Sequence, residues 1–192
     1  TRLIRILDRV IRTIYDKTRK PAEKTSPFIF EYFYYCSNRL HKMPILGATF
    51  FKRMSEDSIE IAKEFERSNV EPSFIHGDLV FKNIHVKGER LGLIDFANAN
   101  SLSHPLNDIY NLHFALANMI LPKSFKTELF EGFNLGMGKL DFPPPVKRFY
   151  YEYHRRRWLM LKLTSRNPVD FLQGVRGLLT FARHSAPETM MP

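Results

Sequence analysis

The chain has 192 residues, 44% hydrophobic and 14% aromatic, which excludes disorder and allows one domain with a substantial core, or at most two small ones. Its single cysteine, Cys36, excludes an internal disulfide and fits a reducing compartment, so a cytoplasmic location is expected. A formal charge of +9 favours acidic partners. No apolar run is long enough to span a bilayer, and no signal-peptide pattern opens the sequence.

The elements follow in chain order. Leu3, Ile4, Leu7, Val10, Ile11 and Ile14 recur at helical spacing, with Arg2, Arg5, Arg9 and Arg12 on the other side. A connector over 20–27 ends with Ser26 as N-cap and Pro27 at the first helical position of an aromatic-rich helix to about His41. Its aromatic stripe reads as core. Residues 42–53 stay ambiguous, and another helix is expected from about Ser55 to Ser68. Phe74-Ile75 leads into a loop and a hairpin of two short strands, 84–87 and 91–94. Pro105 opens a helix to about Ile120, and Pro122 opens another to about Gly136. After the rigid break at 142–145, two long helices run from Val146 to Thr164 and from Pro168 to His184. Residues 186–192 read as a frayed tail. With no repeat and no shift in composition, the expectation is a single domain over 1–192, mainly α with a small β-hairpin (α+β).

The sharpest chemical signal is His76-x-Asp78-x4-Asn83-x11-Asp95. A three-residue loop at 88–90 pairs Lys87 with Leu91, His85 with Leu93 and Asn83 with Asp95. Directly opposed residues share a face with Cβ atoms about 5 Å apart. Asn83 and Asp95 then emerge side by side, where one hard cation with oxygen ligands at roughly 2.1 Å can bridge them. Asp78, five residues before Asn83, is close enough to share the site and far enough to face a different reactant. A carboxylate there can orient a hydroxyl and accept its proton during phosphoryl transfer. The competing reading is an exposed loop aspartate beside an ordinary hairpin, but the hairpin fills the gap between the motif's two ends.

The segments FIHGDLVFKNIHV, LGLIDFAN and HPLNDIYNL resemble the catalytic core of the aminoglycoside phosphotransferase and choline kinase family, which shares the protein-kinase-like fold. The resemblance implies Asp78 as catalytic base, Asn83 and Asp95 as Mg2+ ligands, ATP as phosphate donor and an alcohol as acceptor. It implies that His76 braces the catalytic loop and that Asp108 anchors it from a following helix. For these two residues the structural role is also the reading of the residues themselves. Val80 stands where protein kinases carry a lysine, and Phe96-Ala97-Asn98 replaces their Phe-Gly; both departures favour small-molecule kinases. Asn98 reads as a solvated loop residue, with a polar contact at the metal as the alternative.

Kinases of this fold take a phosphate-covering loop and a strand lysine from an N-terminal lobe. Helical patterns precede Asp78 here, and Gly132, Gly136 and Gly138 with Lys139 fail the Walker A spacing, reading instead as a helix end and a turn. The expectation is therefore a C-terminal lobe whose N-terminal lobe lies outside this chain. Arg155, Arg156 and Arg157, with Lys147 and Arg148, cluster with Phe149, Tyr150, Tyr151, Tyr153 and Trp158. This cluster reads as a pocket for an anionic substrate, a contact for acidic lipid headgroups or a nucleic-acid surface. Against these stands a helix with a solvated basic face and a buried aromatic one. The favoured acceptor is a small molecule or saccharide, acidic in character, with peripheral membrane contact as an option. A catalytically inactive kinase-like binding module is the first alternative, and a basic nucleic-acid-binding helical domain ranks last.

Overall fold

A computed structural model describes residues 2–21, 23–43, 48–88, 90–118, 124 and 142–183. The expected helix at 122–136, the glycines at 132, 136 and 138 and the tail at 186–192 lie outside them, but for residue 124. The described residues are mostly helical, with two small antiparallel sheets. They form two compact units, residues 1–26 with 70–142 and residues 27–69 with 143–191.

The first unit opens with α1 (Arg2–Thr18), which buries Leu7 and Ile11 one turn apart. The Thr18 hydroxyl donates back to the Ile14 carbonyl at 2.7 Å and accepts the Phe74 N–H at 3.0 Å. That bond ties the helix end to β1 (Ser73–Ile75), which pairs with β4 (Asn100–Ser103) through Ser73↔Ser103 and Ile75↔Asn100. The second sheet is a correction, because the sequence reading places no strand at 100–103. Asn-Ser-Leu-Ser carries neither alternation nor β-branched residues, so it has no strand signal to read.

Between these strands lies the hairpin of β2 (Ile84–Lys87) and β3 (Arg90–Leu93). Its ladder pairs Ile84 with Leu93 and Lys87 with Arg90, so the connection has two residues and the expected three-residue register is wrong by one. Gly88 at φ 61° supplies the left-handed backbone that such a short turn demands. After β4 comes α4 (Leu106–Asn118), which buries Leu106, Ile109, Tyr110 and Leu112.

The second unit is a helical bundle of α2 (Pro27–His41), α3 (Ala48–Arg67), α5 (Pro144–Leu163) and α6 (Pro168–Arg183). α3 starts a full turn or more before Ser55, because Phe51 already belongs to its buried stripe with Met54, Ser58, Ile61, Ala62 and Phe65. The aromatic stripe of α2 is core, as expected: Phe33 is fully buried and its ring lies 5.1 Å from that of Phe149. Phe65 stacks on Phe149 at 4.5 Å. Gly174 on α6 lies so close to α5 that a Cβ there meets Leu163 Cδ2 at 3.0 Å. Asn167 Oδ1 accepts the Val169 N–H at 2.9 Å and caps α6.

Candidate active site

The loop from His76 to Asn83 joins β1 to the hairpin, and α4 holds it from one side. The Asp108 carboxylate accepts the N–H groups of His76 at 2.7 Å and Gly77 at 2.8 Å. Asp108 lies in the first turn of α4 and is buried. Burial pushes its carboxyl up to about 6, opposed by the two amide donors. The loop leaves this clamp through Gly77 at φ 82°, where a Cβ would stand 2.0 Å from the Asn98 carbonyl oxygen, so only glycine fits.

His76 ties the loop to the far end of the hairpin. Its Nε2 lies 2.8 Å from the Ile94 carbonyl. A carbonyl only accepts, so Nε2 carries the proton and Nδ1 is left to accept the Asp78 N–H at 3.4 Å. The imidazole also lies 4.6 Å from the Phe96 ring. His76 is thus a buried brace.

Asp78 and Asn83 meet directly. A 3-10 turn over Phe81–Asn83 brings the Asn83 amide back to Asp78, donating to its backbone carbonyl at 2.9 Å and to Oδ2 at 3.4 Å. Both partners are acceptors, so Nδ2 faces them and the Asn83 side-chain oxygen is turned away from Asp78. Asn111 Nδ2 reaches the other carboxylate oxygen, Asp78 Oδ1, at 3.4 Å and the Leu79 carbonyl at 3.4 Å. Lys82 Nζ stands 3.9 Å from Asp78 Oδ2 on a side chain that is 71% exposed.

Asp95 does not stand opposite Asn83, as the three-residue loop would place it. The ladder sets Asn83 against Ile94, whose N–H donates to the Asn83 carbonyl at 3.1 Å. Asp95 follows as an exposed residue at φ 64°, a left-handed backbone that breaks strand alternation. The expected direct Asn83–Asp95 cross-strand pair is therefore corrected: Ile94, not Asp95, stands opposite Asn83. Among the described residues no group of three or more His, Cys, Asp or Glu could hold a metal. The donor chemistry suits Mg2+ all the same: this ion takes few protein oxygens beside phosphate oxygens, and Asp95 would offer a carboxylate and Asn83 an amide oxygen.

The arginines read from the sequence as an anionic surface lie elsewhere and do something else. Arg155 and Arg156 are buried in the second unit, so neither a binding surface nor a solvated basic face describes them. Glu152, one turn back on α5, accepts from Arg155 at 2.8 Å and from Arg156 at 2.5 Å. Arg156 also donates to the Met54 carbonyl at 2.8 Å and lies 4.7 Å over the Phe33 ring. Arg157 is half-buried and hydrogen-bonds Tyr32. The residue that sequence reasoning missed is Asn111, three positions after Asp108 and so on the same face of α4.

The profile of the phosphotransferase enzyme family (APH) matches residues 46–158. That is more than half of the chain and includes the whole loop, hairpin and α4 clamp, and the chain belongs to this family. A comparison with curated proteins finds no match. Among the described residues no helix is long and apolar enough to cross a membrane.

Proposed function

We propose that the protein is an ATP-dependent kinase that moves the γ-phosphoryl group to an alcohol of a small molecule or saccharide. The observation that carries this reading is the Asn83 amide, which grips Asp78 with its nitrogen and keeps its oxygen free of that carboxylate. In this reading the acceptor hydroxyl donates to Asp78, which aligns its oxygen with the γ-phosphorus. As the new P–O bond forms and the bond to the leaving ADP oxygen breaks, the hydroxyl proton passes to the Asp78 carboxylate. Asn83 and Asp95 would hold Mg2+, which when bound offsets the charge of the nucleotide phosphates. His76 and Asp108 hold the loop in place and touch no reactant. The chain acts here as the C-terminal lobe, completed by an N-terminal lobe over the phosphates.

The net charge of +9 favours an acidic acceptor over a polycationic one. The test uses the full-length protein with Mg2+ and ATP against a panel of sugars, amino alcohols and glycolipids. Asp78→Asn is expected to lower turnover by about 10²–10⁴-fold while ATP binding persists. Normal turnover by Asp78→Asn would remove the base from the mechanism. Absence of Mg2+-dependent ATP binding in the wild type would leave an inactive binding module.

A further inference from the structure

We infer that Asn111 is a positioning residue that sets the direction of the Asp78 carboxylate, an inference that rests on Asp78 being the base. α4 grips the loop at two points, and the two grips have opposite polarity. Asp108 is an acceptor and takes the N–H groups of His76 and Gly77. One turn further, Asn111 is a donor and is aimed at two oxygens further along the loop, Asp78 Oδ1 and the Leu79 carbonyl. A buried side chain therefore matches, group for group, the order in which the loop presents donors and then acceptors.

The chemistry of the amide suits this role. One nitrogen with two hydrogens bridges a backbone oxygen and a side-chain oxygen, so the carboxylate is fixed relative to its own main chain. Asn83 holds Oδ2 in the same way, and the carboxylate plane is then defined by a neutral donor on each oxygen. A lysine or arginine in place of Asn111 would add a second, buried cation to the exposed Lys82 at 3.9 Å and weaken the base. A purely structural residue would need only the Leu79 carbonyl. The bond to Oδ1 is the part that bears on rate.

The experiment measures phosphate release from Mg2+-ATP, with water as acceptor, by the full-length protein. Asn111→Leu is expected to lower kcat about 10- to 100-fold, the loss of one hydrogen bond to a charged group, with KM for ATP unchanged. In an Asp78→Asn background the same substitution should have little further effect on rate, because the carboxylate base it orients is gone. Asn111→Gln keeps the donor, and the long 3.4 Å contacts leave room for it, so part of the rate should return. Asn111→Asp conserves shape, replaces the donor with a second carboxylate, and should lose at least as much as Asn111→Leu. Should Asn111→Leu fail to fold, the Gln and Asp variants carry the test between them. Unchanged kcat in the Leu and Asp variants, or a loss that persists undiminished in the Asp78→Asn background, would overturn the inference. If Asp78→Asn itself turns over normally, the base assignment falls and this inference with it; if Asp78→Asn is inactive and Asn111→Leu is not, only the positioning role fails.

Discussion

In the first unit the buried carboxylate of Asp108 is met by backbone N–H groups of a loop, whereas in the second the buried carboxylate of Glu152 is met by two guanidinium groups one turn along its own helix. Both solve the same problem, a charge without water, and the choice of partner gives them different consequences. Glu152 and its arginines are neighbours at helical spacing whatever the surroundings, so their bonds stabilise packing and position nothing beyond the bundle. Asp108 holds residues more than thirty positions away, and its bonds fix the loop that carries the proposed base. The difference teaches where to look: the buried charge satisfied by a distant loop backbone sets the shape of that loop, and the one satisfied by its own helix acts within its bundle.

The largest effect on stability should come from breaking the second kind of charge. Glu152→Ala leaves Arg156 buried at 1% exposure without its carboxylate. A loss of about 3–5 kcal/mol is expected by denaturant unfolding. If Glu152→Ala instead unfolds like the wild type, the buried pair is not what satisfies these arginines.

Gly77→Ala comes next. A left-handed alanine with its Cβ 2.0 Å from the Asn98 carbonyl should cost about 2–4 kcal/mol and disturb the loop. The expected readout is a fall in both melting temperature and turnover.

Asp108→Asn removes one of two acceptor oxygens and should cost about 1–3 kcal/mol near neutral pH. This substitution also has a pH signature. The folded carboxyl, raised by burial to about 6, takes up a proton before the unfolded one does at the ordinary aspartate value of about 4. Stability from this group therefore rises as pH falls from about 6 to about 4, and the margin of wild type over Asp108→Asn should widen across that window. His104 works in the opposite sense. Burial lowers it from 6.5 to about 3, so its contribution is lost as pH falls below 6.5, where the unfolded imidazole becomes charged first. A His104→Gln protein should accordingly lose less stability than the wild type on acidification over this range.

The smallest effect belongs to Lys82→Met. Its ammonium is exposed and 3.9 Å from Asp78, so stability should change by no more than about 0.5 kcal/mol.

Much of the site was legible because short-range spacing encodes it. His76, Asp78 and Asn83 lie within one loop, and a 3-10 turn of three residues closes Asn83 onto Asp78. Asp108 was legible as an anchor through its family resemblance and its place at the start of a helix. The hairpin was visible but its register was not: a loop of two or three residues fits the same strands, and Gly88 at φ 61° decides between them. The left-handed backbone of Asp95 had no sequence signal, since aspartate tolerates that region without requiring it. The arginines misled for a related reason. A run of three cations reads as solvated, and only the tertiary placement of Glu152, Met54 and Phe33 turns two of them inward. Strand β4 and the contacts of Asn111 depend on partners far along the chain, which local pattern cannot supply.

In the proposed kinase, Asn83 and Asp95 serve one divalent ion although they are not opposed across the hairpin. Electron paramagnetic resonance of Mn2+ titrated into the full-length protein with ATP tests it most directly. Asn83→Ala and Asp95→Ala should each weaken Mn2+-ATP binding by at least about tenfold, the loss of one oxygen ligand. Affinity and spectrum identical to wild type in both variants would contradict the shared metal site.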